Sequence, residues 1–111
     1  FVNTRCLPRE EKRVDLTDNF LRGSVDLQSL PPRIENFSVA LNRDIRGRIS
    51  LINLPPTLKT LDLRWCQLKP TVLYYEALPS GIEMIKLRNT KIRQVEPISE
   101  EYRIDSWKFY L

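Results

Sequence analysis

The apolar positions of this chain fall into blocks that return every two dozen residues. Leu30-Pro31-Pro32 recurs as Leu54-Pro55-Pro56 and again as Leu78-Pro79-Ser80, and Leu7-Pro8-Arg9 stands one block earlier. Ile34, Leu58 and Ile82 follow their Leu-Pro markers by the same step. Then come the pairs Val14/Leu16, Phe37/Val39, Leu61/Leu63 and Ile85/Leu87, each with a polar or small residue between its members. Such a period of two predicts a short strand with one buried face. Asn19, Asn42, Cys66 or Thr90 follows each pair, and Leu21, Ile45, Leu68 or Ile92 comes next. A further apolar set, Val25/Leu27, Ile49/Leu51 and Val72/Tyr74, predicts a second extended segment per block. Gly23 and Gly47 precede its first two members, at a turn toward the opposite side of the coil.

Each position has a physical role in a stack of coils. A coil with one apolar side cannot bury that side alone, so several must share an interior. Buried loop backbone needs hydrogen-bond partners, which the Asn side chain supplies to the neighbouring coil. Cys or Thr can stand in as small, weaker substitutes. Pro after Leu fixes φ where no ladder N–H is needed. Phe109 and Leu111 continue the strand register of Ile85 and Leu87, and Tyr102 falls where a Leu-Pro leucine is due. A last strand is therefore expected, with an open edge rich in Trp107, Phe109 and Tyr110.

From Leu58 the chain reads L-x-x-L-x-L-x-x-C-x-L. This resembles the signature of the leucine-rich-repeat family. The resemblance runs from about Leu7 to the C-terminus, and the longer unit N-x-L-x-G-x-I-x-L-x-x-L-P is similar to repeats of plant and protist proteins. Departures are an extra residue between Asn42 and Ile45, Lys69-Pro70 in place of Gly, and decay of the pattern after Val95. The resemblance implies an α/β-type repeat solenoid: a right-handed β-α superhelix with a parallel concave sheet and a mostly irregular convex side. Residues 1–111 would form one domain of four repeats plus a terminal strand. Phe1 in place of an initiator Met adds the expectation that this domain belongs to a longer chain.

Composition narrows the chemistry. Histidine is absent, which removes Ser–His and Cys–His nucleophile pairs and the commonest metal ligand. With 3 Gly among 111 residues, a phosphate-cradling loop is not expected. Cys6 and Cys66 lack metal-ligand spacing and are expected as free thiols, a weak lean toward an intracellular location. No apolar run reaches membrane-spanning length. No enzyme activity, cofactor, metal or small-molecule substrate is therefore expected. The family resemblance implies a scaffold or recognition module with a protein partner. The net charge of +4 adds a second candidate, an RNA-containing assembly. A third is a structural segment that packs on its own longer chain.

The residues between the inward leucines should face the concave surface in columns. Arg13, Asn36, Thr60, Met84 and Lys108 form one column, and Asp15, Ser38, Asp62, Lys86 and Tyr110 the next. Thr17, Ala40, Arg64 and Arg88 form a third, and Asp18, Leu41, Trp65 and Asn89 a fourth. Trp and Arg are enriched at binding hot spots. The candidate partner-binding set is thus Leu41, Arg64, Trp65, Lys86, Arg88 and Tyr110. Arg22, Arg43, Arg46, Arg48, Lys91 and Arg93 are expected on a basic loop flank. Asp15, Asp18 and Asp26 read as surface residues, and the charged run Arg9 to Arg13 as part of a solvated first turn starting at Phe1. Cys66 is expected buried, Cys6 exposed, Tyr74 packed and Tyr75 outward.

Overall fold

Every Leu-Pro marker opens a turn. The carbonyls of Pro8, Pro31, Pro55 and Pro79 accept hydrogen bonds from the N–H groups of Glu11, Ile34, Leu58 and Ile82, at 3.0–3.2 Å. The proline lacks an N–H, so nothing is left unpaired where the chain enters the turn. This geometry comes from a computed structural model that describes residues 2–111. Phe1, the first residue of the expected N-terminal turn, lies outside the described residues.

Ten short strands follow one another: β1 (Arg13–Asp15), β2 (Arg22–Gly23), β3 (Asn36–Ser38), β4 (Asp44–Arg48), β5 (Thr60–Asp62), β6 (Gln67–Lys69), β7 (Val72–Tyr75), β8 (Met84–Lys86), β9 (Gln94–Pro97) and β10 (Phe109–Tyr110). All pair in parallel. The main sheet has the order β1-β3-β5-β8-β10, with Val14, Phe37, Leu61, Ile85 and Phe109 in one line across it. The expected columns of the main sheet and the terminal strand therefore stand in the expected register. A second sheet, β2-β4-β6, runs through the first three coils, and a two-stranded pair, β7-β9, joins the third and fourth. The molecule is a parallel-strand solenoid of about four turns. Its other regular pieces are three-residue 3-10 turns, and no α-helix occurs among the described residues.

One core runs the length of the stack. Ile34, Leu58 and Ile82 form one buried column and Val39, Leu63 and Leu87 another, and Ile45, Leu68 and Ile92 are buried in the same core, with Leu68 opposite Gly47. Leu30 and Leu54 are buried and Leu78 half-buried beneath the markers. Val14, Leu16 and Leu21 in the first coil and Phe109 in the last are only partly covered, because each lacks a neighbour on one side. Phe109 packs its ring 5.2 Å from that of Tyr75.

The second extended segment departs from expectation in its third copy. Leu73 and Tyr75 point inward, whereas Val72 is half-buried and Tyr74 is 55% exposed. The assigned roles of Tyr74 and Tyr75 are thus exchanged. Coil two places its extra residue before Ile45, and coil three places its own after Leu68, across Lys69-Pro70. Stepping forward from Leu68 therefore lands one residue early, and strand side chains change face at every step.

Asn42 ties the first two coils together. Its Oδ1 accepts from the N–H groups of Asn19 and Leu21, both at 2.9 Å. Its Nδ2 donates to the carbonyls of Leu16 at 2.9 Å, Val39 at 2.8 Å and Ala40 at 3.3 Å. At the same station Cys66 donates only its thiol, to Val39 O at 3.3 Å. Thr90 bonds within its own turn, to Leu87 O at 2.7 Å and from Ile92 N at 3.1 Å. Asn42→Ala would strand several buried backbone groups, each costing about 1–3 kcal/mol. Urea denaturation should show a loss of about 3 kcal/mol or more for Asn42→Ala, against about 1 kcal/mol for Cys66→Ala. Equal losses would refute this ranking.

Candidate functional site

In the first three coils the chain leaves the main-sheet strand, turns a corner and enters the second sheet. The ladder of the main sheet runs past its strands to this corner. Asp18 N–H donates to Ala40 O at 2.9 Å, Leu41 N–H to Arg64 O at 2.9 Å and Trp65 N–H to Arg88 O at 3.2 Å. The corner residues are Asp18, Leu41, Trp65 and Asn89, the fourth expected column. All four have left-handed backbone, with φ of 56°, 60°, 65° and 62°.

A left-handed φ costs an ordinary L-residue roughly 1–2 kcal/mol, and Asn, Asp and Gly bear it best. Asp18 and Asn89 follow that preference, but Leu41 and Trp65 do not. Both are also exposed, Leu41 at 38% and Trp65 at 41%. Neither local backbone preference nor core packing accounts for a large apolar side chain at these stations. The Arg43 guanidinium lies 5.0 Å from the centre of the Trp65 ring, within cation–π range. Arg43 was expected on the basic flank and instead belongs to this corner. Phe20 joins the same ridge, also at φ 56° and 92% exposed. Phe20, Leu41 and Arg43 line one shallow depression. Sequence reading missed Phe20, although an apolar residue directly before inward Leu21 is out of phase with the strand pattern.

Beside the ridge, the outward face of the main sheet and its continuation carries Arg64, Lys86, Arg88 and Tyr110. Asp62 grips the Arg64 guanidinium at both ends, Nε to Oδ1 and Nη2 to Oδ2, each at 2.8 Å. This pairing raises the guanidinium pKa and fixes the side chain, so Arg64 is a positioned donor rather than a free charge. Lys86 sits between Asp62 and Tyr110 in its column. Neither Lys86 nor Arg88 has an ion-pair partner among the described residues. Arg88, Trp107, Tyr110 and Leu111 line a second depression at the open end of the sheet. Toward the N-terminal end the face is lined by polar groups such as Asn36, Ser38 and Thr60.

The remaining chemistry-bearing residues are dispersed. Asp15 is held by Thr17, and Asp26 by Ser29 and the Gln28 N–H. The hydroxyl of Thr17 is the main influence that lowers the Asp15 pKa, and that of Ser29 does the same for Asp26. No group of three acidic or cysteine side chains converges among the described residues. Cys66 is fully buried, and burial pushes its thiol up to about 11. Cys6 is exposed and unpaired. Arg22, Arg46, Arg48, Lys91 and Arg93 lie along the second sheet and its continuation, away from the main sheet.

No protein-family model matches the chain, nor does any curated protein or solved structure. No helix is long and apolar enough to cross a membrane among the described residues.

If Leu41 is kept at its corner against local preference, replacing it with a residue suited to left-handed backbone should cost nothing in folding. Leu41→Asn should raise stability by up to about 1 kcal/mol in thermal denaturation. A loss above about 1 kcal/mol would mean that Leu41 serves the core instead.

Proposed function

We propose that this chain is a non-catalytic recognition module of leucine-rich-repeat type that binds a protein partner. Contact runs along the Leu41–Trp65 ridge and onto the adjoining concave residues Arg64, Lys86, Arg88 and Tyr110. The repeat assignment rests on the signature from Leu58 and on the Asn42 tie between coils. It carries with it the right-handed coiling of that family, with short strands and 3-10 turns on the side opposite the main sheet.

The observation that carries the reading is the pair of large apolar side chains held at exposed, left-handed corner stations. Unfavourable backbone that persists in a fold is a pointer to function. A rigid ridge also loses little entropy when a partner covers it. Trp65 supplies the anchor, Leu41 extends the apolar strip, and Arg64 is preset by Asp62. Lys86 and Arg88 give this area a positive rim, which suits an acidic partner surface.

Affinity capture with the 111-residue chain as bait, followed by titration with the recovered protein, tests the reading. Trp65→Ala and Arg88→Ala should each weaken that binding by about tenfold or more, the scale of a hot-spot side chain. Their melting temperatures should stay near that of the parent. Undiminished binding by both variants would place the contact elsewhere.

A further inference from the structure

We infer that the outward side of the β2-β4-β6 sheet is a second, independent site, one that takes the phosphodiester backbone of RNA. Burial of Ile45, Leu68 and Ile92 sets the phase of these segments. Their neighbours therefore face solvent: Arg46 and Arg48 on β4, Gln67 and Lys69 on β6, and Lys91 and Arg93 in the fourth coil. Lys69 was absent from the sequence-based flank, although its position beside inward Leu68 places it there.

Register brings three of these cations into a line. Arg48 stands directly opposite Lys69. Lys91 N–H donates to Leu68 O at 3.0 Å, which sets Lys91 alongside the Leu68–Lys69 peptide. Neighbouring strands in a parallel ladder are about 4.8 Å apart, and like charges facing each other across them are destabilising. None of these three side chains has an ion-pair partner among the described residues. Arg46 is paired with Asp44 at 3.5 Å, and Arg22 in the first coil stands opposite that same Asp44, so the uncompensated row is Arg48, Lys69 and Lys91. The repulsion along this row is unrelieved within the chain, and a polyanion would relieve it.

The chemistry of the stripe favours a nucleic acid over an acidic protein. The outward side chains of β2, β4 and β6 are Arg22, Asp44, Arg46, Arg48, Gln67 and Lys69, with no apolar group among them. A protein partner draws most of its affinity from desolvated anchors, and this surface offers none. A nucleic acid draws its affinity from counterion release at phosphates, which a bare row of cations provides.

Fluorescence polarisation with a labelled single-stranded RNA of about 20 nucleotides tests the inference. Binding at low salt should fall with added salt, log K against log salt having a slope of about −2 to −3 for three or four phosphate contacts. The Lys69→Glu/Lys91→Glu double variant should lose at least about tenfold at low salt. Lys69→Gln/Lys91→Gln should lose less, in the same direction, with circular dichroism confirming that both variants fold. Trp65→Ala should bind RNA as the parent does, which keeps this site separate from the proposed protein contact. Absence of binding at low salt, or indifference to the double charge reversal, would overturn the inference. So would equal binding of a polyglutamate of matched charge, which would assign the stripe to an acidic protein.

Discussion

The structure depends on a single repeated hydrogen-bond relation: the backbone of one coil donates to the carbonyls of the next, 22 residues on from the first coil and 23 residues on from the second and third. Leu16 to Ser38, Val39 to Asp62 and Leu63 to Lys86 are the same bond made in successive coils. While that relation holds, equivalent residues must stack, so the apolar column closes into one interior. The relation is local in form but long-range in sequence, since each bond joins residues more than twenty positions apart. No coil holds its shape without its neighbours, as expected for a solenoid. The half-covered Val14, Leu16 and Leu21 at one end and Phe109 at the other reflect the missing neighbour there.

Stacking also turns single residue choices into stripes. A polar residue between two leucines becomes one element of a main-sheet column. A corner residue becomes part of a ridge, and an outward lysine becomes part of a charged row. Three surfaces of different character follow from one coil geometry: a polar N-terminal area of the main sheet, an apolar ridge with a cationic rim, and a basic flank interrupted by Asp44. The ridge draws attention because its backbone conformation argues against the side chains found there. The flank does so because its charges oppose one another without internal relief. The ridge is set by the main-sheet ladder and the flank by the second sheet, so the backbone of each is part of the regular stack.

The register of the main sheet was legible in the sequence because a period of two, repeated every 23 or 24 residues, fixes both phase and register. Arg13, Asn36, Thr60 and Met84 align on those grounds alone. Legibility failed where coil length is redistributed. Coils two and three each carry one residue more than coil one between the Asn station and the next Leu-Pro, but at different places, and Tyr74 and Tyr75 were assigned opposite faces for that reason. Counting back from Leu78 would have placed Tyr75 inward. Arg43 was missed at the corner because its position follows from a contact with the Trp65 ring, which no periodicity encodes. The left-handed corner was equally hidden, since Leu41 and Trp65 are residue types that normally argue against it.

Amide hydrogen exchange, followed residue by residue, tests the shared ladder most directly. Val39, Leu41 and Leu63, whose N–H groups donate to the next coil in the middle of the stack, should be among the slowest to exchange. They should also open together, as one cooperative unit, with Leu16 and Leu87 faster near the ends. Rapid exchange at Val39 and Leu63, or separate opening of neighbouring coils, would contradict a single continuous interior.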